Sequence, residues 1–376
     1  MRQTPPAFIH REIVRLVVLI AFATGAFFAT RRIAAANDAL RLRDAREWYA
    51  RGMAARRDGD LDTALAAFRR AVAKDPGAMR YGITLASTLM AANRDDQARQ
   101  VLLELREAQP EDPDTNLQLA RLEGRGVDDA VARRYYQTAI AALWTPAQRD
   151  ARRQARTEFI SFLLSHGERD RALSELLILE SALPADPTSQ LNAASMLLSA
   201  GDARRAVDHF GRALAQEPDN QAALAGAGEA AFEIGDYQHA RQYFSRLESA
   251  PDRVRDLRQL ADLVVARDPL ASRLSGSERR QRLVAGLGRT IERLESCQAA
   301  ALSARRDSGL TLSMPLDAAR QFSSQLPAAR PLSSDEIEAG FELIYRGERA
   351  AETACGPPEP FDRALLLIGR RHGLES

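Results

Sequence analysis

Chemistry in this chain would have to come from very few side chains. It has two cysteines, Cys297 and Cys355, and five histidines, His10, His166, His209, His239 and His372. Two thiolates cannot complete a four-ligand zinc site, and the histidines show no tight metal-ligand spacing. No serine or cysteine stands in a strained turn beside a histidine, so a nucleophile lacks its base. The glycines of Gly286-Leu287-Gly288-Arg289-Thr290 fall inside a helical pattern rather than in a phosphate-cradling loop. These observations predict no enzyme, no metal and no cofactor. The cysteines lie on separate predicted helices. Paired, they would tie the carboxy-terminal helices together and add roughly 4 kcal/mol in the loop-closure model. Unpaired, they would pack as small hydrophobes.

Composition sets the class of element that must position anything else. Basic and acidic residues balance at 52 against 51, a net charge of +1. That leaves no overall footprint for nucleic acid, and charge matters only locally. Lys74 is the only lysine, so arginine carries nearly all the positive charge. Ala, Leu and Glu are in excess and aromatics make up 6%, which favours helices and argues against a large sheet. At 376 residues the chain can bury one large core or several small ones.

From Leu16 to Thr30 the chain carries no charge, with Arg15 before it and Arg31-Arg32 after. Ile13 to Arg31 spans about 28 Å as a helix, close to the roughly 30 Å hydrocarbon core if both flanking arginines snorkel. This predicts an uncleaved single-pass anchor over 13–31, after a tail at 1–12 and before a juxtamembrane segment at 32–44. Ala34-Ala35-Ala36 keeps a cleaved signal peptide open as an alternative, although two arginines between apolar run and cleavage site are unusual. Arginines on both sides leave the orientation undecided by charge. A short tail before a large body fits a signal anchor, with the body in the periplasm and the helix in the inner membrane.

Laid out in rows of 34 from Ala45, the chain repeats. The first row carries Trp48, Gly52, Gly59-Asp60, Ala64, Phe68, Ala71 and Pro76; the fifth carries Ala194, Gly201-Asp202, Ala206, Phe210, Ala213 and Pro218; the sixth carries Gly228, Gly235-Asp236, Ala240 and Phe244. Small residues in two columns let paired helices approach, and a large one fills the space against its neighbour. A bulky residue at Ala64 or Ala206 should overpack the pair. Gly-Asp ends one helix at positive φ and caps the next, and the proline stops the second helix. In these columns the chain resembles the tetratricopeptide repeats of bacterial membrane-anchored proteins. The resemblance implies an all-α array of about six helical hairpins at 45–78, 79–112, 113–146, 153–186, 187–220 and 221–254. The third and fourth rows depart most, at Arg125-Gly126-Val127-Asp128 and at the insertion around Thr145 to Arg152. Beyond the array the pattern predicts capping helices over 255–305, a linker over 306–332, and carboxy-terminal helices over 333–376 that open on a Ser333/Glu336 capping box.

In proteins of this type the first helix of each repeat lines an inner groove. Here those columns hold Arg46, Tyr49, Met53, Arg56 and Arg57, then Arg80, Ile83, Ser87 and Met90, then Asp114, Leu117 and Arg121. They continue with Thr157, Ser161 and Leu164, then Leu191, Ser195 and Leu198, and end with Glu229, Phe232 and Glu233. The groove would be basic at its start, apolar in its middle and acidic at its end, which suits a peptide or partner protein laid along it. The leucines could equally pack between helices. The lysine and asparagine pattern of chaperone-tail clamps is absent. The expected role is a membrane-anchored interaction scaffold, with envelope assembly among the roles such families serve. The alternative is a structural subunit whose array is permanently covered in a larger membrane complex. Neither nucleic acid nor a small-molecule substrate is implied.

Overall fold

The computed structural model describes residues 6–126, 129–303, 312–327 and 330–374. Every regular element among them is a helix, and they divide into two compact units, Met1–Phe162 and Leu163–Ser376.

Unit 1 opens on α1, Pro6–Arg57, and continues through α2, Leu61–Lys74; α3, Met79–Ala91; α4, Asp95–Ala108; α5, Pro113–Glu123; and α6, Asp129–Ala141. A short 3₁₀ turn at Pro146–Gln148, with a Thr145/Gln148 capping box, leads into α7, Arg149–Ser165, within which the unit boundary falls. The sequence suggests separate anchor, juxtamembrane and repeat segments, whereas α1 runs through all three as one helix. No glycine or proline occurs between Gly25 and Gly52, and the intervening Ala, Leu and Arg are strong helix formers. The apolar part of α1 has a mean hydropathy of 2.1 and is not buried by any of the described residues. It is long and apolar enough to cross a membrane.

Unit 2 contains α8, Arg169–Glu180; α9, Pro187–Ala200; α10, Ala203–Gln216; α11, Gln221–Glu233; α12, Tyr237–Ser245; and α13, Asp252–Arg267. Then come α14, Gly276–Ser303; α15, Ser313–Gln325; α16, Ser334–Cys355; and α17, Pro360–Arg371. Helix α15 corrects the expectation of a linker over 306–332. Its Leu316 and Ala319, with Leu312 just before, recur at helical spacing and are buried. Leu312 and Leu316 join Leu294, Cys297 and Ala351 in one cluster, and that burial outweighs the local serine and proline content. Residues 304–311 and 328–329 of this stretch, and the Val127-Asp128 part of the irregular third turn, lie outside the described residues.

Within each unit the column chemistry explains the packing. Ala64, Ala98, Ala132, Ala172, Ala206 and Ala240 are fully buried at the crossings. A methyl group added at Gly52 would lie 2.5 Å from the Phe68 ring, so the small residue is required by the large one. The turns repeat as well. Gly201 has φ +94°, and Asp202 accepts from the Arg205 N–H to start α10. In the second hairpin Asn93 takes the corresponding place with φ +56°, as asparagine tolerates this region better than other residues. Gly201→Val is therefore expected to cost about 1–3 kcal/mol, while Asn93→Gly should be neutral or slightly stabilising. Hydrogen exchange of α9 and α10 checks the first, and unaltered protection there would refute it.

The last hairpin of unit 2 has no seventh repeat to cover it. Its Ala231, Tyr237, Ala240 and Phe244 instead share a core with Val254, Ala261 and Val264 of α13, Leu283 and Leu287 of α14, Phe341 and Ile344 of α16, and Leu365 and Ile368 of α17. The carboxy-terminal helices thus act as the cap that a repeat array requires.

Candidate functional site

In unit 1 the face formed by α1 and α3 is built from side chains that touch across the pair. The Tyr49 ring lies 4.8 Å from that of Tyr81 and 5.6 Å from Phe68. Arg80 stacks over both tyrosines, at 5.6 Å from Tyr49 and 4.8 Å from Tyr81, and donates to the Tyr81 hydroxyl at 2.9 Å. That hydrogen bond is the main reason its pKa lies above the ordinary arginine value. The Tyr49 and Thr84 hydroxyls are 3.2 Å apart, and Arg56 donates to Ser87 Oγ at 3.4 Å. Met53 and Ile83 flank these groups half-buried, and Arg46, Arg56, Arg57 and Arg80 are exposed. None of these four arginines has a carboxylate oxygen within 4.0 Å among the described residues. Arg94, Arg99 and Arg125 of the same unit do, to Asp62 at 2.7 Å, Glu123 at 2.9 Å and Asp95 at 3.4 Å.

Other groove candidates are placed differently. Met90 and Leu117 are only 4% and 7% exposed and belong to the core, so their expected role as groove anchors is corrected. The sequence columns identify residues nearest the first-helix face but not how far each turns inward. Arg121 is held by a two-pronged pair to Glu158, at 2.8 and 2.7 Å, and carries no free charge. Glu158 falls outside the groove columns, and no local pattern announces the pair. Asp114 is half-buried, and burial raises its pKa, with Asp112 adding to the effect. Thr157 and Ser161 donate their hydroxyls to helix carbonyls at 3.0 and 3.1 Å.

In unit 2 Leu164, Leu191, Leu198 and Phe232 are half-buried and Ser195 is exposed. Phe232 meets Tyr237 edge-on at 5.0 Å. Glu229 pairs with Arg253 at 3.3 Å. Glu233, one turn along α11, has a raised pKa, from burial first and from Glu229 second. The face is acidic, but less so than its residue types suggest.

Histidines and cysteines have structural surroundings. His209 bridges Gln190 at 2.8 Å and Glu180 at 3.0 Å. His239 contacts its own cap residue Asp236 at 2.6 Å. Among the described residues no group of three His, Cys, Asp or Glu side chains could hold a metal. The structure pairs Cys297 with Cys355 across 58 positions, their Cα atoms 5.9 Å apart. Beside them lies a buried ion cluster that sequence reasoning missed. Arg293 pairs with Glu348 and lies 3.6 Å from Asp362, while Arg289 reaches Asp362 at 2.8 Å and Glu359 at 2.7 Å. Thr290 donates to Glu348 at 2.8 Å.

The start of α16 is electrostatically distinct. The guanidinium of Arg330 grips Glu336 at 2.5 and 2.9 Å, and Ser333 N–H donates to the same carboxylate. Arg330 first and the Ser333 backbone second hold Glu336 down to about 2, from an ordinary 4.5. An acid whose pKa is lower folded than unfolded contributes stability above its unfolded value and loses it on acidification. Protection of the first turn of α16 should therefore fall between about pH 4.5 and about pH 2. Glu336→Gln should remove that dependence, and hydrogen exchange against pH reads it.

Stacked antiparallel helix pairs, with small residues facing large ones and capped glycine turns between, define a helical-hairpin repeat protein. Family models described as tetratricopeptide repeat match residues 55–122 and 197–261, and 26–79. Over these residues the chain carries tetratricopeptide repeats. No curated relative matches it. Similar solved structures include PilW, described as a widely conserved type IV pilus biogenesis factor, at 18% identity over 56% of this chain and 96% of that one, with a TM-score of 0.43. YrrB, described as a repeat protein with an unusual peptide-binding site, is 20% identical over 52% and 95%, with a TM-score of 0.36. A tetratricopeptide-repeat protein from Parabacteroides merdae is 11% identical over 87% and 99%, with a TM-score of 0.41.

Proposed function

We propose that this protein is a membrane-anchored scaffold whose first-helix faces hold a partner protein or peptide, with the body in the periplasm. One observation carries the reading. Met53 and Ile83 in unit 1, and Leu191, Leu198 and Phe232 in unit 2, remain half-exposed beside polar groups, whereas the crossing alanines are sealed. Partly covered apolar side chains set among polar groups suit a binding face. The apolar length of α1 supports the anchor. From Arg31 to Ala45 the helix adds about 20 Å between the apolar segment and the first hairpin, so that hairpin would stand clear of the lipid headgroups.

A photoreactive residue placed at Ile83 or Phe232 of the full chain in cells should capture a discrete partner. The same residue at Ala66 or Arg212, exposed on second helices, should not. Capture from the second helices alone would overturn the assignment of the face. Loss of the protein from membranes on removing residues 1–31, together with protease access only from the periplasmic side, tests the anchor.

A further inference from the structure

Arginines of unit 1 differ in whether a carboxylate compensates them. Arg94, Arg99, Arg121 and Arg125 each have a carboxylate of the same unit. Arg56, Arg57 and Arg80 do not, although the chain as a whole is balanced. Arg51, Arg69, Arg70 and Arg134 also lack a carboxylate among the described residues, and meet Trp48, Gln97 or Tyr135 instead, whereas on the α1–α3 face Arg56, Arg57 and Arg80 together give a local positive field.

The patch is also ordered. Arg80 is held over the Tyr49 and Tyr81 rings and by the Tyr81 hydroxyl, and Arg56 leans on Ser87. Ser87 and Arg80 are two turns apart on α3, about 10 Å. Between them Thr84 gives its hydroxyl hydrogen to the Arg80 carbonyl at 2.8 Å. The Tyr49 hydroxyl must then be the donor in its 3.2 Å contact with Thr84, which leaves the Tyr49 oxygen free to accept. Two pre-positioned guanidinium groups with an acceptor between them match a backbone N–H flanked by two carboxylates.

We infer that the α1–α3 face of unit 1 takes an acidic segment of a partner protein, with Arg56 and Arg80 binding carboxylates and Tyr49 accepting a backbone N–H. Arg57 adds to the local field, and Met53 and Ile83 supply apolar contact. The inference rests on the reading of the first-helix faces as binding surfaces and specifies the occupant of one of them.

The test uses the full chain in neutral detergent and a labelled peptide of alternating glutamate and serine, read by fluorescence anisotropy. The peptide should bind, and more weakly as salt rises. Arg56→Glu and Arg80→Glu should each raise Kd about tenfold. Arg69→Glu, on the outer helix α2, makes the same change in net charge and should stay within about twofold. Tyr49→Phe should weaken binding less than either reversal. If the glutamine–serine counterpart binds as tightly and only Ile83→Asp abolishes it, the acidic class is wrong and the face survives. If a phosphorylated, glutamate-free peptide binds more tightly through the same arginines, the carboxylate assignment is overturned. If no peptide responds to Arg56, Arg80 or Ile83 substitutions, both readings fail. Circular dichroism of each variant separates loss of binding from loss of fold.

Discussion

Replacing Arg293 by alanine is expected to destabilise the carboxy-terminal cap by about 3–5 kcal/mol, the cost of leaving a buried charge without its partner. Glu348 is fully buried, Asp362 is 1% exposed, and Arg293 lies between them at 11%. Burial first, with Asp362 adding to it, pushes the Glu348 pKa up, against the pull of Thr290 and Arg293. An acid whose pKa is higher folded than unfolded binds its proton more tightly when folded, so its contribution to stability falls as pH rises through that window. Without Arg293 the window widens. The deficit of Arg293→Ala should therefore shrink on mild acidification and grow towards neutral and alkaline pH. Arg293 also donates to the Gly356 carbonyl at 3.3 Å, next to the Cys297–Cys355 pair, so the effect should centre on α14 and α16. Hydrogen exchange on the intact protein should show those helices deprotected and α1–α6 unchanged. Glu348→Gln in the same chain should restore part of the loss. Equal protection in Arg293→Ala and wild type would show that the cluster contributes nothing.

Phe244→Ala is the second large effect, again about 3–5 kcal/mol. Phe244 is fully buried and packs in the core that joins the last hairpin to α13, α14, α16 and α17. It occupies the space left by Gly228, where an added methyl group would collide with its ring. Removing the ring leaves a cavity at the junction of array and cap. Gly228→Leu alone should overpack the same site, at about 1–3 kcal/mol. The double variant should be more stable than the sum of the two losses, because the leucine side chain then enters the vacated volume. Thermal unfolding of the four proteins completes the cycle. Strict additivity would mean that the two residues do not share that space.

How much was legible differs between fold and site. The repeat columns carry their own physical reasons, and Ala64, Phe68, Ala206 and Phe210 behave in the structure as their sizes require. Helix α15 was hidden because Leu312, Leu316 and Ala319 are diluted by serine and proline, and only their partners Leu294, Cys297 and Ala351 make that spacing count. The α1–α3 face was half legible. Residue types and columns pick out Tyr49, Arg56 and Arg80, but Thr84 lies off the groove columns and enters through its contact with Tyr49. Arg121 is a groove-column arginine like Arg56 and Arg80, and only Glu158, 37 positions away, distinguishes it.

By itself, then, the amino-acid sequence determined the helical class, the hairpin period, the glycine and aspartate turns and the apolar amino-terminal run. Each of these is written in residues within a few turns of one another, where propensity and capping act. Only the tertiary structure decided which arginines remain unpaired, that Met90 and Leu117 turn inward, and that two carboxylates are buried between Arg289 and Arg293. Charge compensation and burial depend on what other parts of the chain bring alongside, and no local pattern encodes that.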